Sequence, residues 1–253
     1  IRSTNFELAL GDINKNKEII KKLVKNAYDD GVSILSLPEL SLTGASLYDG
    51  YKDIALLCED AILELKEFSK GYNILFSVGF PLIYNRKIYN AIALLMDGYL
   101  VDLYTKKNLS ITEKNVFASD IPDGEVIPFL DDWCEVNPLS KSISHLNIAV
   151  SIGEDEMMDI PRSLTYKSDI ANRPQIILNP TAEVKMALNE EEILNRVRFL
   201  SKDVTYVYTS QGRGESSTDF VYGGLNIIAE DGRIEKVICN DQIDYVNRYR
   251  LYT

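Results

Sequence analysis

Apolar and polar positions alternate along the chain with two spacings, one typical of helices and the other of strands. Residues 14–31 place Ile20 and Val24 at helical intervals and end at Gly31, so they predict an amphipathic helix with a glycine stop. A short apolar strand is predicted over 32–39. The same patterns predict further helices over 53–71, near 161–171 and over 190–203, and further strands over 73–83, 145–153, 174–180 and 204–211.

Two predicted hairpins, over 87–106 and 223–238, interrupt this alternation, and each turns at an Asp-Gly pair. Strands that alternate with helices, with hairpins mixed in, indicate an α/β layered domain whose sheets are mixed rather than purely parallel. Residues 119–142 contain three prolines and few apolar repeats, so they predict an irregular insertion. We see no internal repeat and treat residues 1–253 as one domain.

The composition disfavours several classes of partner and site. With 38 acidic and 27 basic residues, the net charge is −11 and the pI is near 4.7, which disfavours binding to the phosphates of nucleic acids. No apolar run approaches the roughly 20 residues of a membrane helix, and no signal peptide opens the sequence, so we expect a cytoplasmic protein. The 3 cysteines form no CxxC pair and there is 1 histidine, so we expect neither a disulfide framework nor a metal site.

Four candidate functional segments follow predicted strand ends, where the ligands of open α/β sheets gather. They are Glu39, Lys106, the turn at Gly153 and the loop 210–219. A carboxylate, an ammonium and a nucleophile at such ends would supply a general base, an oxyanion stabiliser and a covalent catalyst. The first two are present, whereas the glycine in the third place has no side chain.

Each of these segments also has a purely structural interpretation. Glu39 could start a turn or cap a helix, and Lys106 taken alone is an ordinary solvated lysine. The acidic pair Glu154 and Asp155 is typical of a helix N-terminus, where the helix dipole favours negative charge. The loop 210–219 resembles a phosphate loop, but it lacks a Gly-Lys-Ser ending and precedes a strand, so we predict no nucleotide site there.

Five segments, taken in order, resemble a known family. They read LSLPELSLTG (35–44), YTKKNLS (104–110), VSIGEDEMMDIPRS (150–163), IILNPTAE (176–183) and YVYTSQGRGESSTDFVYGG (206–224). Their order and spacing resemble the nitrilase, or carbon–nitrogen hydrolase, superfamily, and more narrowly the N-terminal glutaminase domain of glutamine-dependent NAD synthetases. The last segment is the most specific, and the resemblance covers essentially the whole chain.

The resemblance implies roles for individual residues. Glu39 falls on the family's general-base glutamate and Lys106 on its catalytic lysine. Gly153 falls on the position of the nucleophilic cysteine. Glu113 falls near the second glutamate, which holds the lysine and the substrate, although this segment is shortened here. The family function implied is hydrolysis of a small linear amide.

The resemblance also implies a fold, a substrate and partners. The fold is a four-layer α-β-β-α sandwich with mixed sheets, which associates as a homo-oligomer. The substrate would be glutamine or another small amide, and Arg213 and Ser216 are candidates for holding its carboxylate, because a guanidinium can bind a carboxylate bidentately. No metal or organic cofactor is implied for this domain. ATP would belong to a C-terminal synthetase domain, and because the sequence has no SGGxDS loop we expect a fragment of a longer chain.

Glycine in the nucleophile's place predicts that the chain is inactive as written, because glycine cannot form an acyl intermediate. Ser151 would share a face with Gly153 if the chain stayed extended, but it would lie about 7 Å away and a hydroxyl is a weak nucleophile. Cys58 is also followed by Glu-Asp, yet it lies within a helical pattern, and free cysteines are most often buried apolar residues.

Three hypotheses of function therefore remain. The first is the ammonia-supplying glutaminase domain of an NAD synthetase-like protein, inactivated at Gly153. The second is a nitrilase-fold pseudoenzyme that binds a small molecule or stabilises an oligomer. The family's aromatic residue after LTG is Ala45 here and its proline after KxxL is Ser110, which favours the second. A flavodoxin-like binding domain fits the alternation of helices and strands but leaves the five ordered segments unexplained.

Overall fold

The computed structural model describes residues 1–143, 145–155, 173–184, 189–212, 214–215, 221–238 and 247–248. Within these residues, three α-helices flank two six-stranded β-sheets. The helices are α1 (Ile13–Asp29), α2 (Tyr51–Phe68) and α3 (Asn189–Leu200). One-turn 3-10 helices lie at Tyr48–Gly50 and Glu113–Asn115.

Apart from β14, which joins the first sheet from residues 247–248, the two sheets are built from consecutive parts of the chain. The first sheet contains β1 (Arg2–Ser3), β2 (Ile34–Ser36), β3 (Leu75–Tyr84), β4 (Lys87–Met96), β5 (Tyr99–Thr105) and β14 (Asn247–Arg248), in the order β14-β1-β2-β3-β4-β5. A separate hairpin joins β6 (Val126–Phe129) to β7 (Asp132–Glu135). The second sheet contains β8 (Lys141–Ile143), β9 (Leu146–Val150), β10 (Ile176–Thr181), β11 (Thr205–Ser210), β12 (Asn226–Glu230) and β13 (Arg233–Ile238), in the order β13-β12-β11-β10-β9-β8.

Both sheets are mixed, as the alternation of elements predicts. Strands β1, β2 and β3 pair in parallel, and β4 and β5 then pair antiparallel. In the second sheet β9, β10 and β11 are parallel, while the other pairs are antiparallel. Because β2, β3 and β5 run in the same direction, their carboxyl ends lie along one edge of the first sheet.

Three apolar clusters separate four layers of secondary structure. In β2, Leu35 packs outward against the helices α1 and α2, whereas its neighbour Ile34 packs inward against the second sheet. In β10, Ile176 and Leu178 face the first sheet while Ile177 faces α3. Successive strand residues point to opposite faces, so each central strand is apolar on both sides. The resulting four-layer α-β-β-α sandwich confirms the predicted fold class.

Helix α1 shows how local sequence sets these elements. The Asp12 carboxylate accepts a hydrogen bond from Lys15 N at 3.0 Å and caps the first turn. The apolar positions Ile20 and Val24 are fully buried. Just beyond the helix, Gly31 adopts a φ of +74° and its N–H donates to Tyr28 O at 2.9 Å. The predicted helix and its glycine stop are therefore confirmed.

One expectation about the elements needs correction, and another concerns residues outside the described part of the chain. The segment 119–142 is not wholly irregular, since it contains the hairpin β6–β7 and the start of β8. Exposed and buried residues alternate along Val126–Phe129. Pro128 has no N–H to donate, but both strands of a two-stranded hairpin are edge strands, where proline is tolerated. The helix predicted near 161–171 lies outside the described residues. Among those residues, no helix has both the length and the apolar character needed to cross a membrane.

Candidate active site

Strand ends from both sheets meet at one end of the sandwich. Glu39 follows β2, Lys106 follows β5, Gly153 follows β9 and Ala182 follows β10. The turn after β2 packs tightly on β3, where a side chain on Gly79 would place its β-carbon 2.2 Å from Leu40 N. Glycine at that position lets the backbone of the glutamate turn lie directly on the strand.

Glu39 is a buried carboxylate held by three donors. It is 1% exposed, and its Oε1 accepts from Lys106 Nζ at 2.8 Å and from Asn90 Nδ2 at 2.5 Å. Its Oε2 accepts from the backbone N–H of Ala182 at 2.8 Å. Burial raises the pKa of Glu39 above its ordinary value, and the neighbouring Lys106 ammonium offsets part of that rise. A carboxylate in this position is suited to accept a proton.

Lys106 lies between two carboxylates. Its Nζ is 2.8 Å from Glu39 Oε1 and 2.7 Å from Glu113 Oε1, and the residue is 7% exposed. Burial alone would lower the pKa of Lys106, but the charges of Glu39 and Glu113 outweigh burial and raise it. The side chain therefore stays an ammonium at neutral pH. It can stabilise a developing oxyanion, but it can act neither as a base nor as a nucleophile.

Glu113 completes this cluster from the 3-10 helix Glu113–Asn115. Its Oε2 accepts from Ser110 N at 2.8 Å, and Ser110 Oγ accepts from Glu113 N at 3.2 Å. Burial would raise the pKa of Glu113, but Lys106 and the Ser110 donor hold it below its ordinary value. A proline at 110, which the resemblance leads one to expect, has no N–H to give. Serine at this position therefore supports Glu113 through a bond that proline could not make.

Gly153 faces the ion pair directly. Its φ is +57°, its N–H donates to Pro180 O at 2.8 Å, and its carbonyl accepts from Asn179 Nδ2 at 2.9 Å. A β-carbon built on Gly153 would lie 2.8 Å from Lys106 Nζ and 3.3 Å from Glu39 Oε2. A side chain here would therefore contact both groups. A strained turn at the end of a strand is also how hydrolases of other folds expose a nucleophile.

These residues line a cavity of about 330 Å³. Its wall combines the aromatic residues Tyr51, Phe117 and Tyr222 with charged side chains. The charged residues described in the wall are Glu39, Lys106, Glu113, Glu154 and Glu183. A cavity of this size and polarity accommodates a small polar molecule. Among the described residues, no group of three or more His, Cys, Asp or Glu side chains is placed to hold a metal ion.

The structure brings Glu39, Lys106, Glu113 and position 153 together, but it does so for only part of the candidate set. Arg213 and Ser216 lie outside the described residues, so their role as a carboxylate grip stays a prediction.

Neither alternative nucleophile lies in this cavity. Ser151 is 3% exposed and lines a second cavity rather than this one. The shared face depended on an extended chain through residue 153, and Gly153 has a φ of +57°. Cys58 is fully buried in α2, as its helical pattern predicts, and burial raises the pKa of its thiol to about 12.

Three further residues of the site were missed from the sequence. Asn90 is a polar residue inside the apolar run of β4, and that break in pattern was a usable signal. Asp155 accepts hydrogen bonds from backbone N–H groups of the loop after β5, a long-range contact that no local pattern shows. Glu215 is 1% exposed and its Oε1 accepts from Ser46 N at 2.7 Å and from Ala45 N. Glu215 belongs to the segment 206–224, the most specific of the five, in which the sequence suggested Arg213 rather than Glu215 as a functional residue.

The raised pKa values of two of these carboxyl groups predict how the stability of the protein depends on pH. Burial raises the pKa of Asp155 to about 7 and that of Glu215 to about 7. Between about pH 4.5 and pH 7 the unfolded chain has released these protons while the folded protein keeps them, so the free energy of unfolding falls as pH rises. Each group contributes at most roughly 1.4 kcal/mol per pH unit. We expect the thermal midpoint to fall from pH 5 to pH 8.

The matched control for this prediction is the double variant Asp155→Asn/Glu215→Gln. Neither amide titrates, so the midpoint of the variant should vary less with pH than that of the unaltered protein. A midpoint that rises over the same interval, or an equal slope in both proteins, would contradict the assignment of the two buried carboxyls.

Known proteins resemble this chain along most of its length. A glutamine-dependent NAD(+) synthetase of Mycobacterium leprae (strain TN) is 26% identical over 243 residues, which is 92% of this chain and 35% of that protein. A protein of the same name from Xanthomonas campestris pv. campestris (strain 8004) is 24% identical over 270 residues, 100% of this chain and 45% of that protein. The chain therefore spans less than half the length of these curated relatives.

Solved structures agree on the fold. A crystal structure of a glutamine-dependent NAD(+) synthetase from Cytophaga hutchinsonii has a TM-score of 0.82 at 22% identity, covering 97% of this chain and 41% of that one. An amidase of the nitrilase superfamily from Nesterenkonia AN1 has a TM-score of 0.74 at 15% identity, covering 94% of this chain and 85% of that one. The carbon-nitrogen hydrolase family model matches residues 6–161, more than half of the sequence. The chain is thus a member of the carbon–nitrogen hydrolase family.

Proposed function

We propose that this chain is the glutamine amidohydrolase domain of an NAD synthetase-like protein, with Gly153 in the place of its nucleophile. The proposal rests chiefly on the proximity of Glu39 Oε2 and Lys106 Nζ to the β-carbon position of residue 153, at 3.3 and 2.8 Å. Family membership supports hydrolysis of a carbon–nitrogen bond. The names of the relatives support glutamine as the amide and a separate synthetase domain as the acceptor of ammonia.

In the proposed complete reaction, each residue of the site takes one step. A thiol at position 153 would pass its proton to Glu39 while sulfur attacks the amide carbon. Lys106, held by Glu113, would stabilise the oxyanion. Ammonia would leave with the proton from Glu39, and water would then hydrolyse the thioester to glutamate. The chain as written lacks the sulfur, so only the general-base and oxyanion groups remain.

Without the nucleophile, the rate of hydrolysis should fall to a small residual value. Removing a nucleophile from other hydrolases leaves roughly 10³- to 10⁴-fold acceleration over water, which comes from substrate binding and the oxyanion site. Glu39 could activate only water in its place, and attack by water lacks the covalent intermediate that divides the cleavage into two easier steps. We therefore expect the chain to bind the amide and to leave almost all of it uncleaved.

Binding of glutamine is the direct test of this proposal. We expect the unaltered chain to bind glutamine with a Kd between about 1 μM and 1 mM, the usual range for small substrates. Isothermal titration calorimetry measures it. Glu113→Gln weakens the hold on Lys106 and should reduce the affinity about tenfold. Lys87→Met, which removes a surface lysine paired with Asp120, is the matched control and should bind as the unaltered chain does.

The absence of heat with glutamine up to about 10 mM would contradict the proposal. The association of this domain into a homo-oligomer, and its union with an ATP-binding synthetase domain, are proposals of the same kind. They rest on the resemblance and on the greater length of the relatives.

A second candidate function is a pseudoenzyme that keeps the fold for small-molecule binding or for oligomer scaffolding. The observation in its favour is that the Lys106 ammonium already fills the space of a side chain at 153. Lys106 is also neutralised by two carboxylates in this arrangement. The two candidates differ in the activity that they predict for a variant with cysteine at 153.

A further inference from the structure

Asp155, two residues beyond Gly153, joins the turn after β9 to the loop after β5. Its Oδ1 accepts from Asn108 N at 2.7 Å and from Lys107 N at 3.0 Å, and its Oδ2 lies 3.1 Å from Lys107 N. In the reverse direction, Asn108 Nδ2 donates to the Asp155 carbonyl at 3.1 Å. We call this set of bonds the Asp155 hook.

The Asp155 hook fixes the loop of residues 106–108, and both ends of this loop line the candidate active site. Lys106 and Asn108 both line the 330 Å³ cavity, and the two N–H groups that Asp155 holds belong to residues 107 and 108. At the other end of this loop, the backbone N–H of Lys106 donates to Asn90 O of β4 at 2.8 Å. The backbone at Lys106 is therefore fixed by β4 before the lysine and by Asp155 immediately after it.

From this geometry we infer that Asp155 is a positioning residue, which sets the place of the Lys106 ammonium relative to residue 153 and so the affinity of the site for its amide. The part of the inference that concerns the amide rests on the proposed function. Asp155 does not itself line the cavity that holds Glu39 and Lys106. Its effect therefore passes through the backbone of the loop.

The charges around Asp155 leave the carboxylate dependent on these backbone donors. The Lys106 ammonium attracts it and the Glu39 carboxylate repels it. The Lys107 side chain also lines the second cavity, but its Nζ pairs with Asp123 at 2.9 Å. That leaves the backbone N–H groups of 107 and 108 as the direct partners described for the carboxylate oxygens.

Two further acids face the same second cavity of about 500 Å³, namely Asp120 and Asp123. Asp120 is engaged by Lys87 and by Tyr89 Oη, which lies 2.9 Å from Asp120 Oδ1. Burial raises the pKa of Asp155 to about 7. Protonation removes the negative charge that strengthens the hydrogen bonds from both N–H groups, so the hook weakens on acidification.

The test compares the unaltered chain with Asp155→Asn and with Asp102→Asn. Asp102 is the matched control, because it is a buried aspartate whose pKa burial raises to about 6, while its carboxylate faces Lys141 rather than the loop. The affinity for glutamine is measured by calorimetry from pH 5.5 to 8.5. The backbone amide resonances of Lys107 and Asn108 and the Nζ resonance of Lys106 are followed by NMR over the same range.

In the unaltered chain we expect the two amide resonances to shift with a midpoint near pH 7. The affinity should be about tenfold weaker at pH 5.5 than at pH 8.5. Asp155→Asn should remove both transitions and bind weakly at every pH, with a displaced Lys106 resonance. Asp102→Asn should behave as the unaltered chain does. A merely structural role for Asp155 would lower stability but leave the pH profile of binding in place.

The possible failures are distinguishable. If glutamine binds to none of the proteins, the proposed function fails, and the Lys106 resonance alone then decides whether Asp155 positions the lysine. If the Lys106 resonance in Asp155→Asn matches that of the unaltered chain, the positioning role is overturned, whatever the affinity. The role is equally overturned if glutamine binds and its affinity keeps the same pH profile in Asp155→Asn.

Discussion

Cysteine introduced at position 153 should turn the chain into a glutaminase, raising the rate of ammonia release by about 10³-fold or more. The β-carbon of residue 153 lies 3.3 Å from Glu39 Oε2 and 2.8 Å from Lys106 Nζ, so a sulfur there would have its base and its oxyanion stabiliser at hand. The covalent route then divides one difficult amide cleavage into two easier steps. Ammonia release from glutamine, coupled to a spectroscopic indicator, measures it.

The gain has a structural cost that also belongs to the expected result. A non-glycine residue at a φ of +57° costs roughly 1–2 kcal/mol. The Lys106 amine must also move by a few tenths of an ångström, which the far end of a flexible side chain can do. Gly153→Cys should therefore be somewhat less stable than the unaltered protein while being far more active.

Gly153→Ala is the control for this experiment. Alanine has the same backbone strain and the same contact with Lys106, but it has no nucleophile. It should be as inactive as the unaltered chain. Equal activity of the cysteine and alanine variants would contradict a latent glutaminase and favour the pseudoenzyme.

Removal of the Lys106 ammonium should cost about 3–5 kcal/mol of folding free energy at neutral pH. In Lys106→Met, two carboxylates that now lie 2.8 and 2.7 Å from a cation lose it, and Glu39 stays buried without a counter-charge. The loss should shrink on acidification, because protonation of Glu39 and Glu113 removes the uncompensated charge. Urea unfolding at pH 8 and pH 5 measures both effects.

Lys87→Met is the control for the lysine as well. The Lys87–Asp120 pair is about half exposed on both sides, and exposed pairs contribute little to stability. A loss in Lys106→Met as small as that in Lys87→Met would show that the buried charges are not mutually dependent. The double variant Glu39→Gln/Lys106→Met removes both charges of one pair and should recover part of the stability.

Long periodic segments made much of the fold predictable. Helix α1 and the hairpin of β4 and β5 follow directly from apolar spacing and from their glycine or Asp-Gly turns. Short elements were not predictable in this way. Strand β1 has two residues and the strands of the β6–β7 hairpin have four each, too few for a period to emerge. Their existence depends on pairing with other parts of the chain.

The site was predictable where it follows strand ends and opaque where it depends on long-range contacts. Glu39 and Lys106 were noted because they follow predicted strand ends, but only the family resemblance distinguished Lys106 from an ordinary solvated lysine. The hook made by Asp155 was not noted, because its partners lie 47 and 48 residues earlier in the chain. The local sequence of Glu154 and Asp155 suggested only a helix cap, and the residues that such a helix would occupy lie outside the described part of the chain.

One departure from the family pattern takes on a different meaning in the structure. Ser110 suggested relaxed chemistry from the sequence, yet its N–H and hydroxyl both bond to Glu113, which in turn holds Lys106. This substitution supports the ion cluster rather than loosening it. Ala45 has a partner as well, since its N–H donates to the buried Glu215 carboxylate.

The most direct measurement of the central claim is covalent labelling with an electrophilic glutamine analogue, such as one in which a diazoketone replaces the carboxamide, followed by intact-mass analysis. We expect no adduct on the unaltered chain and a single adduct on Gly153→Cys, mapped to residue 153. An adduct on the unaltered chain, on any side chain that lines the cavity with Glu39 and Lys106, would show that the nucleophile was never missing.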